Sequence, residues 1–284
     1  MVPEVEILID QMNHKSIEAF KRFSLDPDYY AVYNRQLQSD MELFRQENVS
    51  LETQLHLLSQ EYQKICGGMT VPFQNEEYTL PQMAKFFFEP DRNLRAAAWK
   101  AAALRRLQDK ERLEDIFDKM VTLRHEEAQH ASCKNFCDYQ FRRYHRFDYT
   151  PEDCKLFHST IERCVVPLLK EIFQRRKAQM RLADLRPWDL AVDPLGRPPL
   201  KPFQDVEHLI SGVTEMLSRT DPELGREFQD IVEMGFLDLV SRKGKAPGGY
   251  QQTLAEARKP FIFMNAVGLD QDVMTLLHEA GHAF

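Results

Sequence analysis

Hydrophobic residues recur every three or four positions through most of residues 1–184, so this part of the chain reads as one helix after another. In "LFRQENVSLETQLHLLSQEYQKI", residues 43–65, Leu43, Leu51, Leu55, Leu58, Tyr62 and Ile65 share a helical face, and Gly67-Gly68 supply a stop. "MTVPFQNEEYTL", residues 69–80, is short and turn-rich and predicts a small hairpin or an extended connector. From Pro90 a second long helical stretch runs through "AAAWKAAALRRLQDKERLEDIFDKMVTLRHEEAQ", rich in Ala, Leu and charge pairs one turn apart. Thr150-Pro151-Glu152-Asp153 opens another: a hydroxyl to cap, a proline in the first turn, and acids at the positive end of the dipole. Its pattern runs towards Ala183, with a bend expected at Pro167.

The pattern changes at "LRPWDLAVDPLGRPPLKPF", residues 185–203, whose five prolines and one glycine rule out a regular helix. We read it as an ordered crossing loop or a boundary, dividing residues 1–184 from residues 185–284. Helical spacing resumes over 205–218 and 222–234. "GFLDLVS" and "PFIFMN" predict short strands, the first followed by the loop "RKGKAPGGY". A last helix begins at Asp270 or Asp272, with an apolar face drawn from Val273, Met274, Leu276 and Leu277.

Composition narrows the class. With 43% hydrophobic and 29% charged residues, the chain is of globular type, and no apolar run reaches the roughly 18–20 residues of a membrane span. The first residues carry acids where a secretory signal would be basic, so a cytoplasmic protein is expected. A net charge of −7 argues against nucleic acid as a partner. Cys66, Cys133, Cys137, Cys154 and Cys164 have no spacing that completes a structural zinc site and are read as reduced thiols. No oligomeric state follows from any of this.

The chemistry is concentrated in "DVMTLLHEAGHAF" at 272–284. Residues four apart lie on one helical face, so His278 and His282 can direct two imidazoles at one metal ion, with Glu279 beside them. Zinc takes nitrogen ligands and keeps a position for water in catalytic sites, and a nearby glutamate can then take a proton from that water. Gly281 inside the helix suggests tight packing near the site or fraying at a chain end. "HEEAQH" at 125–130 is a decoy: its histidines are five apart, about 140° out of register, and read as surface residues. His145, His158 and His208 stand alone.

Five stretches, in consistent order over nearly the whole chain, resemble the thimet oligopeptidase and oligoendopeptidase F group of zinc peptidases, closer to the latter. They are "DRNLRAAAW" (91–99), "RFDYTPEDC" (146–154), "LRPWDLAVDPLGRPPLKPF" (185–203), "RKGKAPGGY" (242–250) and "DVMTLLHEAGHAF" (272–284). The resemblance implies a mainly α, multi-helical zincin-type fold, two-lobed around a channel, with a few short strands near the HExxH helix. Residues 185–284 would then begin the catalytic domain. It implies a metalloendopeptidase acting on short peptides, with zinc on His278 and His282 and Glu279 as general base. It further implies that Gly248, Gly249 and Tyr250 line the channel and that the strand of Phe263 and Asn265 is an edge pairing with substrate backbone. Pro-Gly-Gly also makes an ordinary turn, and "PFIFMN" also makes a core strand. The group's third ligand, a downstream glutamate, has no counterpart before Phe284, so the fold would be incomplete at its C-terminal end and this piece alone weakly active or inactive. The alternative is an inactive peptide-binding or regulatory protein on the same helical fold.

Overall fold

The computed structural model describes residues 3–284. In chain order it begins with helices α1 (Pro3–Phe23), α2 (Ala31–Leu43) and α3 (Asn48–Gly67). Strands β1 (Thr70–Phe73) and β2 (Glu76–Thr79) follow, then the one-turn helix α4 (Leu80–Met83) and a 3-10 turn at Ala84–Phe88. Next come α5 (Arg92–Leu107), α6 (Lys110–His130), α7 (Phe136–Arg143) and α8 (Pro151–Gln179). After a 3-10 turn at Pro187–Asp189 the chain forms α9 (Val206–Thr220), α10 (Pro222–Glu233), β3 (Leu237–Val240), β4 (Tyr250–Leu254), β5 (Lys259–Ala266) and α11 (Asp270–Ala283). Two compact units interleave along the sequence: one takes the chain through Tyr62 plus Glu111–Ile172, the other Gln63–Lys110 plus Phe173–Phe284.

In the first unit, the helix expected to run from Leu43 to Ile65 is broken. The chain leaves α2 at Phe44 and re-enters helix at Asn48. Arg45 stabilises the break by donating to the carbonyls of Glu42, Phe44 and His130. Buried Asn48 donates to the Glu127 carbonyl at 3.1 Å and meets His130 Nδ1 at 2.7 Å. Thus His130 is on the surface as expected and also helps tie α3 to α6. His145 is likewise not alone, with its Nε2 2.7 Å from Asp40. At the start of α8 the expected cap forms reciprocally: Thr150 Oγ1 accepts from Asp153 N, and Asp153 accepts from Thr150 N. The helix passes Pro167 without interruption and ends at Gln179, short of Ala183.

The second unit contains the hairpin. Its two loop residues, Gln74 and Asn75, both have positive φ, as a two-residue turn between twisted strands requires. The long helical pattern after Pro90 is two helices, parted at Gln108-Asp109, where Asp109 pairs with Arg105. The proline-rich segment 185–203 is ordered around Asp189, which is wholly buried and accepts from Arg92, Arg95 and the Arg186 amide. Arg95, also buried, caps the carbonyls of Trp188, Glu89 and Pro90.

The core of this unit lies under the second sheet. Leu209, Val213 and Leu217 on α9, spaced four apart, and Phe228 on α10 pack with Leu239 of β3 and with Leu276 and Ala280 of α11. The strand β5 adds Ile262, Met264 and Ala266 to that core, so Phe263 and Asn265 fall on its opposite face. The sheet order is β3-β5-β4, with β5 parallel to β3 and antiparallel to β4. This corrects one expectation: "PFIFMN" is the central strand, its ladder filled on both sides. The edge next to it is β4, which has little apolar alternation and was missed in the sequence.

Candidate metal centre

The helix α11 is positioned from below by its own apolar face and at its start by one carboxylate. Asp272 Oδ2 accepts from the amides of Val267, Gly268 and Leu269 at 2.8–2.9 Å, so the third helical residue reaches back and pins the chain that enters the helix. Asp272, Leu276, Glu279 and Ala280 then form the buried stripe. Met274, expected on the apolar face, is 61% exposed, because it projects away from that stripe.

His278 and His282 lie on the exposed side, one turn apart. Their Nε2 atoms are 3.1 Å apart, with the rings edge to face at 88°. At this separation the rings either share an N–H···N hydrogen bond or flank a cation. Two nitrogens bound tetrahedrally at zinc's usual 2.0–2.1 Å would sit about 3.3 Å apart, so the pair fits two corners of such a sphere. Among the described residues no group of three or more His, Cys, Asp or Glu side chains is placed to hold a metal. The chain therefore offers two nitrogen donors and leaves the remaining positions to other groups.

Glu279 is buried, at 7% exposure, yet its carboxylate makes no hydrogen bond to the described residues. An uncommitted carboxylate on the residue after His278 is able to accept a proton from a polar group brought to it. No atom of the described residues lies within 4 Å of a Cβ built at Gly281.

The glycine loop reaches this helix. A Cβ on Gly249 would lie 3.3 Å from Thr275 Cγ2, one turn before His278, and 3.4 Å from the Phe263 carbonyl oxygen. Gly248 has φ +98°, where a side chain would be strained. Asn265 donates to the carbonyls of Ala246 and Gly248, both at 2.9 Å, so its amide holds the loop in place. Phe263 stacks on the half-exposed Tyr250 ring at 4.9 Å. Beneath the loop, the Lys245 ammonium is buried and donates to Asp238 Oδ1 and to the carbonyls of Asp238, Val240 and Met264. Burial pushes its pKa down, although Asp238 opposes that. Gly67 completes the support: a Cβ there would come within 2.6 Å of the Lys245 carbonyl oxygen, and its own carbonyl accepts from Gly244 N. Sequence reasoning named the loop glycines, and Gly67 only as a helix stop, but missed Lys245 and Thr275. The lysine between Gly244 and Gly248 was the signal for the first.

The family description "Peptidase family M3" matches residues 87–284, more than half of the chain. The chain belongs to peptidase family M3. Solved structures agree over its whole length. A Bacillus anthracis protein assigned as oligoendopeptidase F superposes with a TM-score of 0.91 at 27% identity, covering 100% of this chain and 52% of the other. PZ peptidase A, solved with an inhibitor, gives 0.92 at 28% identity, covering 99% and 50%. A second oligoendopeptidase F structure gives 0.92 at 26% identity, with the same coverage as PZ peptidase A. No curated protein sequence matches significantly. The M3 chain thus spans about half the length of the solved structures it matches.

Proposed function

We propose that this M3 chain carries the metal-binding and proton-transfer part of a zinc-dependent endopeptidase acting on short peptides. The observation that carries the reading is the convergence of His278 Nε2 and His282 Nε2 to 3.1 Å, with the next residue along from His278, Glu279, buried and uncommitted. A zinc ion held by these nitrogens would supply a Lewis acid that polarises the scissile carbonyl and makes water acidic near neutral pH. Glu279 takes the proton from the attacking water and delivers it to the leaving amine. A third protein ligand and the donors that stabilise the oxyanion come, in this reading, from the half of the fold that the chain does not span. In this reading the substrate backbone lies along β4, the edge strand that follows the glycine loop. Gly248 has open space where a Cβ would stand, whereas that space at Gly249 is taken by Thr275 and Phe263; Tyr250, braced by Phe263, offers an apolar contact.

All five cysteines are free, which suits the reducing cytoplasm, and no described helix is long and apolar enough to cross a membrane. The decisive experiment follows zinc and turnover together, with the chain joined to the remaining half of an M3 peptidase. Cleavage of internally quenched short peptides should vanish with a chelator and return with zinc; chelator-resistant cleavage would eliminate the mechanism. In the same assembly Glu279→Gln should keep its zinc while kcat falls by about a hundredfold or more. Unchanged kcat would remove Glu279 as the base.

A further inference from the structure

The helix α8 spans 29 residues and none of them is buried. Its exposed apolar residues are spread around it, Leu156, Val166 and Leu169 among them, but five fall in line. Phe157, Ile161, Val165, Leu168 and Ile172 recur at intervals of four, four, three and four residues, which places them in one stripe. Four of the five are 45–63% exposed. Isolated helices gain most of their stability from an apolar face packed against something, and a stripe of this kind in water marks an interaction surface.

What covers it is narrowed by two observations. The other face, with Glu152, Lys155, Glu162, Arg163 and Lys170, mixes both signs of charge, whereas a helix that lies on a membrane shows a basic polar face. The fold is shared from end to end with solved proteins that contain about as much chain again. In those proteins the M3 fold is built from this half and a second of similar size. We infer that the Phe157–Ile172 stripe of α8 seats that second half. The inference rests on family membership and not on the zinc chemistry, so a failed chelation test leaves it standing.

Cys164 reports on the seat. It is exposed, one turn from both Ile161 and Leu168, whereas Cys137 is an exposed thiol on α7. The chain is co-expressed with the uncovered half of PZ peptidase A, and thiol alkylation is followed by mass spectrometry in the complex and in the chain alone. A one-to-one complex should form, with Cys164 alkylated at least tenfold more slowly than in the chain alone and Cys137 changed less than twofold. Val165→Glu should abolish copurification without loss of helical circular dichroism, while Arg163→Glu on the opposite face should not. Failure to copurify, equal rates at Cys164 with and without the partner, equal slowing at both thiols, or a Val165→Glu complex as abundant as the parent would each overturn the inference. So would a homodimer of the chain alone with Cys164 already protected, since a second copy would then be the occupant.

Discussion

Asp189 and Glu127 are both carboxylates shut away from water, at 0% and 1% exposure, and they are held in opposite ways. Asp189, in the second unit, takes two bonds from Arg92, one from Arg95 and one from the Arg186 amide. Burial alone would raise its pKa, but those donors outweigh it and the carboxyl ends below its ordinary value. Glu127, in the first unit, has one oxygen with no hydrogen-bond partner, and burial pushes its pKa up to about 7. The nearby Glu52 adds to the rise, and Arg143 and Arg124 only partly oppose it. Depth of burial therefore does not set the charge of a group; the donors that reach it do.

The strongest way to break this contrast is to remove the satisfied partner. Asp189→Ala leaves the buried Arg95 guanidinium without its counter-ion and frees the turn at Pro187–Asp189. Removing one partner of a buried pair costs about 3–5 kcal/mol, so denaturant unfolding should show a loss of that size. A loss below about 1 kcal/mol would mean that the carbonyls of Glu89, Pro90 and Trp188 are enough for Arg95.

These two sites also show what was legible in the chain. The cap at Thr150, the turn at Gln74-Asn75 and the histidine pair on α11 depend on residues within four positions of each other; the cap and the pair were read as such, the turn only as a hairpin or connector. The ligation of Asp189 by arginines 94 and 97 positions away left only a proline-rich stretch to read. The strand β4, "YQQTL", exists because β5 pairs with it, and its polar sequence carried no period to find. Glu127 is the instructive miss. Attention in "HEEAQH" went to the histidines, yet Ile116, Met120, Leu123 and Glu127 sit at helical spacing, so the acid occupies an apolar position. A charged residue in a hydrophobic stripe was the signal.

A smaller effect should come from Glu127, with opposite sign and a pH dependence. Its ordinary value of 4.5 applies to the unfolded chain, and the folded chain holds the proton up to about 7. The folded state therefore binds more protons in that window, and stability falls as pH rises through it. Below the window the contribution is fully present; above it the loss is complete. Glu127→Gln should flatten this part of the profile. Relative to the parent, the variant should gain about 2 kcal/mol between pH 5.5 and pH 8. A parallel pair of profiles would show that the carboxyl finds a partner as the anion, and Glu127 would then resemble Asp189.

Asp272 sharpens the comparison from the other side, because it is nearly as buried but is held only by backbone amides. No arginine is left stranded when it is removed, and the three freed donors lie at the start of a helix, where water can reach some of them. Asp272→Ala should therefore cost only about 1 kcal/mol, the size of a lost cap. The pair His278–His282 begins six residues further on and is braced by Leu276 and Ala280, so fraying of the first turn should stop short of it. Zinc titration of the variant should then match the parent within about twofold even as its thermal midpoint falls. If zinc affinity fell together with stability, the turn around Asp272 would be part of what aims the imidazoles, and the cap and the metal centre would be one cooperative element.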